Sequence, residues 1–243
     1  MSKYVFIFEG CDGSGKSSSI EAACERHSNT CDILTVREPG GTDLGEEVRR
    51  LLRLDEGSHL SVAAEMTLFW AGRHQLWMEK VIPFLMEDGQ KPRAVFFDRS
   101  FPSTFAYNIR GRQAGPELEE IHNANIKALM AAIRKKIFDR HIEIHHMYFD
   151  IRPELAEARL EKREKAEGSN DDLLQFNDLV FQRRVYEGYD QFYKLLVEKT
   201  LIRQSSPPEF VHRVNAAGTH QEVATEVSTI FQGIFRPVIE AIA

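Results

Sequence analysis

Short runs of β-branched and aromatic residues alternate along this chain with longer segments in which apolar residues recur every three or four positions. The short runs predict buried strands at residues 4–9, 32–37, 94–98, 146–151 and 210–214. The longer segments predict helices at 16–27, 44–54, 61–88, 116–140, 153–165, 173–199 and 219–242. Regular alternation of this kind is typical of βαβ units, so we predict an α/β fold with a five-stranded parallel sheet and helices on both faces.

The loop between the first predicted strand and the first predicted helix has the pattern G-x-x-x-x-G-K-[ST], the phosphate loop of nucleoside triphosphate sites. Backbone N–H groups of such a loop cradle phosphates at a helix N-terminus. We expect Lys16 to reach the β- and γ-phosphates of ATP and the Ser17 hydroxyl to ligate Mg²⁺. The predicted ATP-binding residues here are Gly10, Cys11, Asp12, Gly13, Ser14, Gly15, Lys16, Ser17 and Ser18.

Composition limits the classes of function that need to be considered. The 243 residues, 42% of them hydrophobic, suit a single domain over 1–243. A net charge of -6 does not favour a nucleic-acid or membrane surface, and small ligands are the expected partners. No apolar run approaches the length of a membrane span, and the three cysteines form no C-x-x-C pair, so we expect a cytoplasmic protein with reduced thiols.

Two further predicted strands end in arginines, where open α/β sheets bind ligands. Arg37 is followed by Glu-Pro-Gly-Gly-Thr and could present its guanidinium to an anion, although an ordinary turn explains it equally well. Asp98 is expected to hold a Mg²⁺-bound water, and Arg99 to face a second, phosphate-bearing substrate. The alternative is an Asp–Arg pair that caps the next turn.

Arg73 lies on the apolar stripe of the predicted helix 61–88, four residues after Phe69. A guanidinium on a core-facing stripe needs a partner, which can be either an acidic side chain or a polar ligand. Phe69 could stack on a planar base that Arg73 binds. Residues 159–165 are strongly basic, and they form either a mobile cationic lid over 159–172 or a solvated helix face.

Taken together, these motifs resemble the thymidylate kinase family, which phosphorylates dTMP with ATP. The resemblance rests on residues 8–17, 37–42, 64–73, 98–99 and 103–107 and covers most of the chain. It implies that Arg73 bonds O4 of the stacked thymine and that Tyr107 lies near the sugar, as well as a homodimer. The substrate-binding residues it implies are Arg37, Phe69, Arg73, Arg99, Ser103, Thr104 and Tyr107.

The same resemblance implies roles for the lid and for the ATP side. Asp12 would orient the acceptor sugar or the metal, the loop containing Ala216 would contact adenine, and the lid arginines match bacterial-type members. The catalytic residues it implies are Lys16, Arg99, Arg163, Asp12 and Arg159.

Two alternative functions stay open at this point. Phe105 occupies a place where the family usually has Gln, Asn or a small residue, which favours a kinase for a modified pyrimidine such as 5-hydroxymethyl-dUMP, or for a base in DNA. The second alternative function is that of a P-loop ATPase that acts as a nucleotide-dependent switch. The chain lacks the Asn-Lys-x-Asp motif, and its third strand ends in Asp-Arg rather than Asp-Glu, which argues against a switch.

Overall fold

Five parallel strands form the centre of the computed structural model, which describes residues 2–53, 60–137, 142–167, 179–202 and 207–240. The strand order is β2-β3-β1-β4-β5, so β1 lies in the middle with β3 and β4 as its neighbours. This confirms the predicted five-stranded parallel sheet. The strands are β1 (Lys3–Glu9), β2 (Asp32–Arg37), β3 (Arg93–Asp98), β4 (Ile142–Asp150) and β5 (Glu209–Asn215).

Helices connect the strands, and two of the helical segments have π geometry. The α-helices are α1 (Lys16–His27), α2 (Asp43–Arg53), α3 (Val62–Leu76), α4 (Ile82–Met86), α5 (Phe101–Ser103), α6 (Pro116–Lys136), α7 (Pro153–Glu167), α8 (Leu179–Ile202) and α9 (His220–Glu240). The π-helices are π1 (Trp77–Val81) and π2 (Thr104–Gly111). Among the described helices, none has the length and apolar character that a membrane crossing requires.

The two faces of the sheet bury separate apolar clusters, because successive side chains of a strand point to opposite sides. Phe6 and Phe8 of β1 pack on one face with Phe231 of α9, whereas Val5 and Ile7 pack on the other with residues of α3 and π1. Every residue of β1 is buried. Helices on both faces therefore fix the ends of β1 and β3, where the phosphate loop and Asp98 lie.

Three predicted boundaries were wrong. The predicted helix 61–88 is divided into α3, π1 and α4, and the segment 99–115, for which no helix was predicted, is mostly helical in α5 and π2. The fourth strand begins at Ile142 instead of 146, because its histidines find polar partners within the sheet. His146 Nε2 lies 3.0 Å from Glu209 Oε2 on β5, and His145 Nδ1 lies 3.0 Å from His212 Nε2.

Candidate active site

The carboxyl ends of β1, β2 and β3 open into a cleft of about 730 Å³. Four of the predicted site residues do not line it: Gly10, Cys11 and Ser14, which belong to the phosphate loop, and Ala216 in the turn after β5. The predicted residues that line the cleft are Asp12, Gly13, Gly15, Lys16, Ser17, Ser18, Arg37, Phe69, Arg73, Asp98, Arg99, Ser103, Thr104, Tyr107, Arg159 and Arg163.

The phosphate loop holds its lysine with its own acceptors. Lys16 Nζ donates to the carbonyl oxygens of Gly10 and Cys11, both at 3.0 Å, and to Ser14 Oγ at 3.3 Å. Gly13 has a φ of 78°, and a side chain there would meet the Ala156 carbonyl oxygen at 2.5 Å, so only glycine fits. Burial is the main cause that lowers the pKa of Lys16. The ammonium is therefore fixed at the cleft by two backbone carbonyls and the Ser14 hydroxyl.

Cys11 and Ser14 support the loop instead of facing the cleft. The Cys11 thiol is buried, and burial raises its pKa to about 12, so it stays protonated and unreactive. Its contribution to the loop is the carbonyl oxygen that accepts from Lys16.

Ser17 and Asp98 bring a hydroxyl and a carboxylate together at the cleft. Ser17 Oγ donates to Asp98 Oδ2 at 3.1 Å. Hydroxyl and carboxylate oxygens are donors that suit Mg²⁺, which binds few protein groups and keeps several waters. Within the described ranges, no cluster of three or more His, Cys, Asp or Glu residues could hold a metal. The two side chains fit a Mg²⁺ that depends mainly on nucleotide phosphates and water.

Arg99 is the most extensively bonded cation of the cleft. Its backbone is left-handed, with a φ of 69°, and its Nη2 forms an ion pair with Asp12. Nη2 also donates to the Tyr107 hydroxyl at 3.3 Å, and the same hydroxyl donates to Asp12 at 3.2 Å. Burial alone would raise the pKa of Asp12, but the charges of Arg99 and Lys16 outweigh it and lower that pKa. The Asp98–Arg99 pair predicted as a turn cap is therefore not the pairing that forms.

Arg73 meets an acidic partner and also faces the cleft, so the two explanations left open for it are compatible. Its Nε donates to Glu38 Oε2 at 2.6 Å, and its Nη2 donates to Thr104 Oγ1 at 3.2 Å. Its guanidinium lies 4.5 Å from the centre of the Trp70 ring. The buried Nη1 has no hydrogen-bond partner in the described part of the protein. A buried N–H group of this kind is costly unless a ligand binds it.

Glu38, which accepts the hydrogen bond from Arg73, was not among the residues singled out from the sequence. Burial raises the pKa of Glu38 to about 7, and the charge of Arg73 only partly opposes the shift. Its second oxygen accepts from Ser100 Oγ at 3.1 Å. The only sequence signal was the position of Glu38 directly after Arg37, at the carboxyl end of β2.

The structure corrects the place given to Phe105, because the cleft is lined by Asn108 and not by Phe105. Phe105 is 2% exposed, packs in the apolar cluster beneath Arg110, and does not line the cleft. Asn108, Thr104 and Tyr107 reach the cleft from π2. No helix was predicted for this segment. The helical spacing that turns Phe105 away from the other three side chains therefore could not be inferred from the sequence.

The remaining cations differ in how firmly they are held. Arg37 pairs with Glu46 at 3.2 Å, with both side chains about half exposed, at 52% and 48%. Arg159 donates to the carbonyl oxygens of Ala216 at 2.7 Å and Gly218 at 2.5 Å, and so ties α7 to the turn after β5. Arg163, one turn further along α7, is exposed at the cleft. The predicted lid extends beyond α7 to residues 168–172, which lie outside the described residues.

A phosphate loop that faces a second cationic wall across one cleft, on a parallel sheet of this order, defines a P-loop nucleotide kinase. The family model described as thymidylate kinase matches residues 8–215. The chain is 32% identical to the thymidylate kinase of Chlorobaculum parvum over 241 residues, covering 96% of this chain and 97% of that one. It is 30% identical to that of Geobacillus thermodenitrificans over 209 residues, covering 86% and 85%. The chain belongs to the thymidylate kinase family.

Proposed function

We propose that this protein transfers the γ-phosphate of ATP to dTMP, giving dTDP and ADP. The observation that carries the proposal is the buried Arg73 Nη1, which lacks a protein partner in the described residues and lies in the same cleft as the phosphate loop. A cleft with phosphate-binding groups at one end and an unsatisfied donor beside an aromatic ring at the other suits a nucleotide acceptor. The acceptor is then a nucleotide whose base has a carbonyl that can accept from Arg73.

The base end of the cleft favours thymine over cytosine. Phe69 offers a ring face for stacking, and Arg73 offers an N–H to the 4-carbonyl of thymine. Cytosine would place a 4-amino donor against this donor and leave the guanidinium unsatisfied. Asn108 adds an amide that can pair with the base edge.

The transfer itself requires charge neutralisation and alignment instead of a strong base. An oxygen of the dTMP phosphate forms a bond to the γ-phosphorus while the bond from that phosphorus to the β–γ bridging oxygen breaks, and ADP leaves with the electron pair. We assign the neutralisation of the phosphates to Lys16, Arg99 and Arg163, a proposal that their place in the lining of the same cleft supports. Ser17, and Asp98 through a water, would hold a Mg²⁺, which would supply positive charge that neutralises the phosphates. Asp12 keeps Arg99 in place.

We also propose that the enzyme works as a homodimer in the cytoplasm, where ATP and nucleoside monophosphates are found. Leu44 and Leu51 of α2 are 44% and 38% exposed, and both would be covered in a dimer that uses this helix. The burial of Phe105 removes the observation that favoured a modified pyrimidine or a DNA base as acceptor.

A coupled assay over a panel of acceptors tests the proposal. The panel is dTMP, dUMP, dCMP, UMP, 5-hydroxymethyl-dUMP and single-stranded DNA. We expect dTMP to exceed dCMP in kcat/KM by about 100-fold, since a site built for a carbonyl rejects the amine. The control is Lys16→Ala, which removes a phosphate-binding charge and should abolish turnover while the circular dichroism spectrum stays unchanged. Comparable rates with dTMP and dCMP, or ATP hydrolysis independent of any acceptor, would refute it.

A further inference from the structure

A tyrosine from a distant part of the chain contacts the guanidinium of Arg99. Tyr189 of α8 is 0% exposed, and its hydroxyl oxygen accepts from Arg99 Nη1 at 2.9 Å. It also lies 2.8 Å from Ser103 Oγ and donates to Glu9 Oε2 at 3.0 Å. Arg99 lines the cleft, whereas Tyr189 and Glu9 do not.

The direction of these hydrogen bonds is fixed by Glu9. Its carboxylate is fully buried at the end of β1, and when ionised it can only accept. Ser103 Oγ donates to Glu9 Oε2 at 2.5 Å, and Arg99 Nη1 donates to Ser103 Oγ at 3.2 Å. Because each hydroxyl gives its single proton to Glu9, both oxygens turn their lone pairs toward Arg99. The Glu9 carboxylate therefore orients the hydroxyl groups of Ser103 and Tyr189, and these two groups in turn orient the Arg99 guanidinium.

The helix that carries Tyr189 is set close to π2. A side chain at Gly188 would meet the Ala106 backbone at 3.0 Å, and one at Gly111 would meet the Phe181 ring at 2.8 Å. Glycine at these positions allows α8 to approach π2 closely enough for the Tyr189 hydroxyl to reach the end of β3. The position of the hydroxyl is therefore determined by packing, independently of any ligand.

We propose that Tyr189, oriented by Glu9, is a positioning residue that holds the Arg99 guanidinium for the acceptor phosphate. The identity of that acceptor rests on the proposed function, whereas the restraint of the Arg99 guanidinium by Tyr189 does not. Nη1 of Arg99 donates to Tyr189, to Ser103 and to the Gly10 carbonyl oxygen, and Nη2 is held by Asp12 and Tyr107. Removal of the Tyr189 hydroxyl takes away one of the three acceptors of Nη1 and leaves the charge in place.

The test compares Tyr189→Phe with Tyr193→Phe. Tyr193 lies one turn later on α8, is 4% exposed, and its hydroxyl has no hydrogen-bond partner in the described part of the chain. We expect Tyr189→Phe to lower kcat/KM for dTMP about 10-fold, as for loss of a hydrogen bond to a charged group, with the KM for ATP unchanged. Tyr193→Phe should match the wild type in both constants. Equal losses in the two variants would overturn the proposal.

A double-mutant cycle with Arg99→Ala shows whether the hydroxyl acts through the arginine. The Tyr189→Phe substitution should add no further loss of dTMP affinity, measured by titration calorimetry, in the Arg99→Ala background. The same loss in both backgrounds would contradict a positioning role.

A spectroscopic arm separates this proposal from the proposed function. In the protein without nucleotide, the Nη hydrogens of Arg99 should give separate NMR signals in the wild type and in Tyr193→Phe, and averaged signals in Tyr189→Phe. Unchanged Arg99 signals in Tyr189→Phe would overturn the proposal whatever the enzyme phosphorylates. If the wild type lacks dTMP kinase activity, only the proposed function is refuted. The NMR signals of the Arg99 Nη hydrogens still test whether Tyr189 restrains the guanidinium.

Discussion

Two regions of the molecule carry charged side chains in opposite environments. The acceptor end of the cleft, where Arg73 and Glu38 lie, is buried, and the side chains of Lys165 and Glu161 on helix α7 are exposed. At the acceptor end the side chain of Arg73 is 1% exposed and that of its partner Glu38 is 5% exposed, whereas Lys165 and Glu161 of α7 are 80% and 62% exposed. A charge in a low-dielectric interior must be paired at all times, so its geometry is set before the ligand arrives. An exposed charge is solvated and acts strongly only when water is excluded. The acceptor end is therefore preorganised, and we propose that the exposed part of α7 contributes when the cleft closes over the substrates.

The largest difference is expected in stability. Arg73→Met leaves the Glu38 carboxylate buried without its cation, and we expect the free energy of unfolding at pH 8 to fall by about 3 kcal/mol or more. Arg163→Met removes an exposed charge and should change it by about 0.5 kcal/mol at most. Urea unfolding followed by circular dichroism measures both. Similar losses of unfolding free energy in the two variants would contradict the proposed difference between the acceptor end and α7.

The next effect concerns turnover. Arg163→Ala should lower kcat about 100-fold and leave the KM of ATP and of dTMP within about 2-fold, because an arginine that engages only in the transition state contributes little to ground-state binding. Steady-state kinetics with each substrate varied in turn gives these constants. Unchanged turnover, or a loss confined to the KM of dTMP, would identify residues 159–165 as a solvated helix face.

Arg159 sharpens the comparison, because it lies on α7 but is held by the protein. Its bonds to the carbonyl oxygens of Ala216 and Gly218 fix the turn after β5. We expect Arg159→Ala to raise the KM for ATP about 5-fold, through a less ordered turn, with kcat within about 2-fold of the wild type. A loss in kcat as large as that of Arg163→Ala would show that both arginines act on the transferring phosphoryl group.

A pH dependence of stability is also expected at the acceptor end. The pKa of Glu38 is raised to about 7 from an ordinary value of 4.5. Between these values the folded protein keeps a proton that the unfolded chain has lost, so stability falls as pH rises through this range. Relative to Glu38→Gln, the wild type should lose up to about 1.4 kcal/mol per pH unit. A constant difference between the two proteins from pH 5 to 8 would contradict the raised pKa.

The sequence predicted the features that are local along the chain. The strand, phosphate loop and first helix follow one another without interruption, and the parallel sheet follows from regular alternation. Arg73 was found because a cation on an apolar stripe is anomalous, although its partner is 35 residues away and could not be named. The roles given to the cleft residues remain predictions until the variants are measured.

What the sequence could not predict depends on contacts distant in sequence and on irregular helices. Tyr189 meets Glu9 across 180 residues, and nothing in the local pattern of α8 distinguishes it from Tyr193. The residues of π2 show no apolar spacing that distinguishes a π-helix from a loop, so Asn108 was missed and the alternative acceptors were argued from Phe105 instead.

Titration of dTMP into the protein without ATP tests the central claim most directly, that the acceptor end is preorganised and the exposed part of α7 acts only on closure. The wild type and Arg163→Ala should bind dTMP with dissociation constants within about 2-fold of each other, and Arg73→Met should bind at least about 10-fold more weakly. If Arg163→Ala weakens dTMP binding as much as Arg73→Met does, the two regions do not differ in the way proposed here.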